Sequence, residues 1–314
     1  MKPAASPPTD PARRAGSGGA LADNEKWLGR VMMAPAILYI AALVGLPLLL
    51  ALYYSVSNVT VGSAGWPSYV GLSNFRHAFG NPTFIRAVWN TIFFAVVSMA
   101  IVMVLGTILA LSLLKDFRGK WFVRLLILLP WVAPISLGTI GWLWMFDSVY
   151  SVINWTAQYF GIFGKRTWPV WLGQPTLAMA SVITVQVWRL LPLATVILLG
   201  GLSSIPKDIQ EAALVDGASV LRRYVQITEP LMRPIALVAL LFGLIFSFTD
   251  MIVIYVLTRG GPFDTTQVLA TLAFFTGIDG GDLGGGAAIA LFLLPVLAAC
   301  VILILRFARK TEVT

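Results

Sequence analysis

Two ionisable side chains stand inside long apolar runs. Arg189 closes the stretch Gln186-Val187-Trp188-Arg189, and Asp250 closes Ser247-Phe248-Thr249-Asp250. A charge within a membrane-crossing run costs about 2.5–3.5 kcal/mol on insertion scales, so a residue of this kind is a functional candidate by default. A carboxylate near aromatic rings suits a polyhydroxylated ligand, since its oxygens accept from hydroxyls while a ring covers an apolar face. Asp250, Arg189, Gln186, Ser247 and Trp142 are therefore candidates to line a translocation path. A second reading stays open: Asp250 pairs with Arg189 or a backbone group and holds helices together.

Other chemistry is poorly supplied. The chain has one histidine, His77, and one cysteine, Cys300. That excludes an intramolecular disulfide, a cysteine metal site and a histidine metal site. It also leaves the usual nucleophile–base pairings thin, so no catalytic residue is assigned. A nucleotide phosphate loop needs a glycine upstream of Gly-Lys-[Ser/Thr]; here Gly119-Lys120 lacks that glycine and is followed by Trp121. The chain is not expected to be an enzyme or to hold a cofactor.

The elements that must carry these side chains follow from composition. Hydrophobic residues make up 58% of the 314 and charged residues 11%, where an ordinary soluble domain carries about 25% charged. Such a chain cannot cover itself with solvated groups, and lipid is the surface that fits. Six apolar runs, near 31–56, 87–113, 125–146, 176–201, 235–258 and 284–307, each approach or exceed the roughly 20 residues of a spanning helix. An all-α integral membrane fold of six transmembrane helices is expected. Glycines 280, 281, 284, 285 and 286 open the last run at spacings that favour close helix packing.

The net charge of +8 does not mark a nucleic-acid partner, because the basic residues lie in short runs between apolar stretches and are not interleaved with aromatics. Sixteen of the 22 lysines and arginines flank one side of the runs, five flank the other, and Arg189 lies within one. By the positive-inside rule, both termini and the loops at 114–124 and 202–234 face the cytoplasm. Trp66, Tyr69, Trp89, Trp155, Tyr159, Trp168 and Trp171 fall on the outer side and fit an interfacial aromatic belt. Residues 1–26, rich in Pro, Gly, Ala and Ser, are expected to be a disordered cytoplasmic tail, with the membrane domain over 27–314.

The loop at 202–234 is too polar to span and too patterned to be a linker. Ser203 or Ser204 offers a helix cap, and Pro206 suits a first helical position. Good helix formers follow, and Gly217 stands where a C-terminal glycine would end the helix. A second short helix is expected from Ser219 to Thr228, with Val220, Tyr224 and Ile227 on one face and Pro230 and Pro234 closing it. A small helical pair with an uncovered apolar face needs either a protein partner or a lipid surface, and the residues alone leave both open.

Glu211-Ala212-Ala213, then Gly217, then Ile227 and Pro230 resembles the EAA loop of the inner-membrane permeases of binding-protein-dependent ABC importers. One fixed position departs from the family pattern: Glu229 stands where leucine usually precedes the proline. The segments Gly71-Leu72-Ser73-Asn74-Phe75, Leu129-Pro130-Trp131 and Leu257-Thr258-Arg259-Gly260-Gly261-Pro262 are similar to those of the sugar-permease branch. The resemblance implies a type I (MetI-like) importer fold in a bacterial inner membrane. It implies that Glu211, Ala212, Ala213, Asp216, Gly217, Arg222, Ile227 and Pro230 form the coupling site. The implied partners are a cytoplasmic ATPase dimer that binds ATP and magnesium, a second homologous permease, an extracytoplasmic binding protein and a sugar. Glycerol-phosphate or polyamine cargo, or a proton-coupled secondary carrier using Asp250, are the alternatives.

Overall fold

The computed structural model describes residues 25–62, 67–164 and 168–311. The tail expected over 1–26 falls almost wholly outside the described residues, as do Trp66, Lys165 and Arg166. The chain divides into two compact units, Met1–Ala51 and Leu52–Thr314. The described part of the first unit belongs to one long helix, α1 (Trp27–Ser55), interrupted by a π-turn at Ala41–Gly45. Its side chains from Met32 to Leu50 are apolar around the whole circumference, the pattern of a span rather than of a helix with one core face.

The second unit begins with a two-residue antiparallel pair, β1 (Ser57–Asn58) with β2 (Ser68–Tyr69), and a short helix, α2 (Ser73–Gly80). The second span, α3 (Pro82–Leu114), starts where Asn81 accepts from the Thr83 N–H at 2.9 Å and Pro82 takes the first turn. The third run is two helices, α4 (Lys120–Val132) and α5 (Ile135–Met145), bent by 98°. The break has a local cause: Pro134 forces Ala133 into an extended conformation, ψ 140°. A short helix on the far side, α6 (Val152–Tyr159), is capped by Ser151. The fourth span is α7 (Pro175–Ser204), followed by α8 (Lys207–Val215).

The next helix departs from expectation. Instead of a short helix closed by prolines, α9 runs unbroken from Val220 to Thr249 and is the fifth span itself. A π-turn at Tyr224–Thr228, in which the Glu229 N–H reaches back five residues to the Tyr224 carbonyl, resets the ladder. Pro230 then falls in the first turn of the restarted α-helix, where its missing N–H breaks nothing, and Pro234 one turn on is absorbed within it. The span stops at Asp250 and resumes as α10 (Ile252–Leu257). A short apolar helix, α11 (Leu269–Asp279), precedes the last span, α12 (Leu283–Ala308). Among the described residues, five helices are long and apolar enough to cross a membrane, and six spans result when α4 and α5 count as one.

The core sits where α3, α7 and α9 meet. Phe94, Met99 and Val102 of α3 pack against Val182, Val185 and Leu190 of α7, with Val253 and Ile254 of α10 joining them. The Met99 side chain fills the space beside Gly243 of α9, where a Cβ would meet its thioether. The expected glycine contact in α12 is internal to the chain, with Gly286 lying against the Cα of Gly277 in α11.

Candidate functional site

Two features carry the candidate residues. The first is the turn between α8 and α9. Gly217 adopts φ +70°, a conformation in which a side chain is strained. Its N–H donates to the Leu214 carbonyl and the Ala218 N–H to the Ala213 carbonyl, both at 3.0 Å. This Schellman arrangement satisfies the last carbonyls of α8 and turns the chain sharply. Ser219 then caps α9 by accepting from the Arg222 N–H. The serines expected to cap α8 do not. Ser203 and Ser204 remain in the last turn of α7, donating to the Leu199 and Gly201 carbonyls, and Pro206 stands at the cap of α8 rather than inside it.

Gln210 donates to the Thr228 hydroxyl at 3.1 Å and fastens α8 to the π-turn of α9. Ala213 is buried in that contact, while Glu211, Ala212 and Asp216 face outward. Arg222 donates to the Gln226 side chain, one turn on. Ile227 and Pro230 are half-buried. Glu229 forms a two-pronged ion pair with Arg233, with oxygens 2.9–3.1 Å from the guanidinium. The departure from leucine at this position is thus absorbed on the helix surface. Of the three residues expected on one face, Tyr224 and Ile227 are half-buried and Val220, the first residue of α9, is exposed. It joins Leu214, Val215 and Leu221 in an apolar cluster around the Gly217 turn, each 54–88% exposed. A cluster of that kind on a rigid turn is built to be covered.

The second feature is a polar ladder between α7 and the end of α9. Its rungs are three residues apart on both helices: Gln186 with Ser247, and Arg189 with Asp250. The Gln186 amide donates to the Ser247 hydroxyl at 3.2 Å. One guanidinium nitrogen of Arg189 contacts one carboxylate oxygen of Asp250, and the other oxygen accepts from the Val253 N–H at 3.2 Å. Asp250 therefore caps α10 at the break in the span while neutralising Arg189. Its side chain is 2% exposed and that of Arg189 20%. The Gln186 carbonyl oxygen and the hydroxyls of Ser98 and Ser181 are buried without a hydrogen-bond partner in the chain. Trp142 of α5 meets Trp188 edge-on at 5.8 Å, beside this ladder in sequence, and stacks on Phe146.

Sequence reasoning named every residue of the ladder and left open which pairs form. It missed Trp188, whose place next to Arg189 was the available signal. It also missed the ties from the start of α3, Thr83, Arg86 and Asn90, to the loop after α10. Among the described residues there is no cluster of three or more His, Cys, Asp or Glu that could hold a metal ion.

Residues 102–313 match the family of binding-protein-dependent transport system inner membrane components, and the chain belongs to that family. It is a multi-pass transport permease with the MetI-like fold. Among its relatives is the trehalose/maltose transport system permease protein MalF of Thermococcus litoralis, 32% identical over 91% of this chain and 95% of the relative. Another is the sulfoquinovosyl glycerol transport system permease protein SmoG of Agrobacterium fabrum, 29% identical over 92% of each. A solved bacterial ABC transporter that imports the acidic polysaccharide alginate has the same fold, with a TM-score of 0.76 at 21% identity over 91% of this chain and 96% of that one.

Proposed function

We propose that this chain is the sugar-translocating permease subunit of an ATP-driven importer, working by alternating access. The observation that carries the reading is the Gly217 turn. It presents Leu214, Val215, Val220 and Leu221 on a backbone fixed by its own hydrogen bonds, and it joins directly to the fifth span without a flexible linker. A push on this turn reaches the polar ladder at the far end of the same helix. The coupling partner is a cytoplasmic ATPase dimer, which binds ATP and magnesium, because the chain carries no phosphate loop of its own.

Orientation follows from the basic residues: both termini and the coupling turn lie in the cytoplasm. A loaded extracytoplasmic binding protein delivers the cargo on the opposite side, and a second, similar permease completes the path. Sugar is the cargo class supported by the relatives from Thermococcus litoralis and Agrobacterium fabrum.

The test is a pull-down of the tagged chain from its host's membranes in mild detergent. Co-purification of an ATPase and a second permease, with hydrolysis stimulated by a sugar-loaded binding protein, is the expected result. A chain that emerges alone under conditions preserving other membrane complexes would contradict the proposal.

A further inference from the structure

The loop from Thr258 to Val268, between α10 and α11, combines an over-determined backbone with one unpacked side chain. Three non-glycine residues occupy the left-handed region: Arg259 at φ 49°, Phe263 at 52° and Asp264 at 59°. A side chain disfavours this region because its Cβ crowds the carbonyl, and bulky residues persist there only where the surroundings hold them. Here the first turns of α3 do so. Arg86 donates to the Phe263 carbonyl at 2.7 Å, and Asn90 to the carbonyls of Asp264 and Gln267 at 3.2 and 2.9 Å. Thr83 donates to the Asp264 carboxylate at 3.1 Å.

The loop also binds itself. Thr265 donates to the Pro262 carbonyl at 2.6 Å and Thr266 to that of Gly261 at 2.7 Å. Gly260, at φ +88°, leaves no room for a Cβ against Gln267. At the entry to the loop the Arg259 guanidinium lies over the rings of Tyr255 and Phe275, 5.1 and 5.9 Å from their centroids. The backbone of the segment is held at many points, while the Phe263 ring is 82% exposed.

We infer that Phe263 is a fixed docking anchor for the extracytoplasmic binding protein, seating in an apolar notch of that protein. The inference rests on the importer reading above. The loop lies at the end of α3 opposite the coupling turn, which is the outer surface in that orientation. A fixed aromatic loses little freedom when it enters a pocket, which is how a single residue comes to dominate an interface. Lipid would also accept a phenylalanine, but a fluid surface gains nothing from a ring held at one angle, whereas a shaped notch does. The charges around the loop balance, since Arg259 pairs with Asp279 at 3.5 Å and the exposed Arg86 meets the loop next to the exposed Asp264, so the contact rests on the ring rather than on charge. A solved transporter of the same fold has been captured with its sugar-bound periplasmic protein.

The experiment uses the assembled complex in lipid nanodiscs with the cognate sugar-loaded binding protein from the same host. Phe263→Ala is expected to leave basal ATP hydrolysis unchanged. It should raise the binding-protein concentration for half-maximal stimulation by about tenfold or more, the mark of a lost hot spot. Stimulation of the original complex with no change in that concentration for Phe263→Ala overturns the anchor and leaves the importer standing. No stimulation of the original complex by its binding protein overturns both. A second variant, Phe263→Cys in a Cys300→Ser background, carries an environment-sensitive dye. Its emission should shift on adding binding protein. Quenching by brominated lipid without that protein would make the residue a membrane anchor and refute the inference.

Discussion

Removal of the Asp250 carboxylate tests the physical core of the bundle. The group has two roles in one place: it neutralises Arg189 and caps α10 where the fifth span breaks. Breaking a buried ion pair from one side costs about 3–5 kcal/mol, because the surviving charge is left without a partner. Losing a helix cap adds about 1 kcal/mol. Arg189 keeps a fifth of its side chain exposed, so water softens the first figure, and Asp250→Ala should destabilise by about 3–4 kcal/mol. Asp250→Asn retains the cap and should lose about 2–3 kcal/mol. Pairing it with Arg189→Met removes the orphaned charge and should return the protein to within about 1 kcal/mol of its starting stability. Equilibrium unfolding in mixed micelles of the two single variants and the double gives the coupling directly. A coupling energy below about 0.5 kcal/mol, the error of additivity, would refute the pairing argument. Full stability in Asp250→Asn with transport lost would instead make the carboxylate a group of the path.

Three further predictions concern the Gly217 turn and Asp147. Gly217→Val forces a β-branched side chain to φ +70° at a cost of about 1–2 kcal/mol or more. The chain should still insert, and capture of the ATPase in a pull-down should fail. Val215→Asp changes a side chain that is 88% exposed, so the isolated chain should unfold within about 0.5 kcal/mol of the original, while ATPase capture drops; unchanged capture would remove Val215 from the interface. Asp147 accepts from the N–H groups of Tyr150 and Val149, and those bonds hold its carboxyl below the usual aspartate range. A depressed carboxyl stabilises above its unfolded value and loses that contribution as pH falls through its folded value. Protection of the Val149 and Tyr150 amides from hydrogen exchange should therefore persist through the pH at which ordinary aspartates protonate, and vanish only on further acidification.

The spans were legible because lipid makes the requirement simple: a long apolar run must close its own hydrogen bonds as helix. The glycine turn was legible too, since Gly217 after a run of helix formers has few other uses. The helix after Gly217 was misjudged at its far end. Pro230 and Pro234 read as stops, and nothing local announces the π-turn that lets α9 run through them. Ser203 and Ser204 were misassigned for a related reason, because a serine that donates backward to its own helix looks the same in sequence as one that caps the next. The ladder was half legible. Arg189 and Asp250 were marked by their setting, but their pairing depends on how α7 and α9 pack against each other, a long-range arrangement. The straps from Thr83, Arg86 and Asn90 join residues more than 170 positions apart, a separation at which single-sequence patterns carry no information.

The central claim is ATP-driven import through this permease, and uptake into proteoliposomes tests it most directly. The purified complex would be reconstituted with ATP in the compartment facing the coupling turn and the sugar-loaded binding protein on the opposite side. The account predicts sugar accumulation that requires ATP and the binding protein and survives a protonophore. Accumulation that ignores ATP and collapses with the proton gradient would contradict it and return Asp250 to the role of a proton-coupling group.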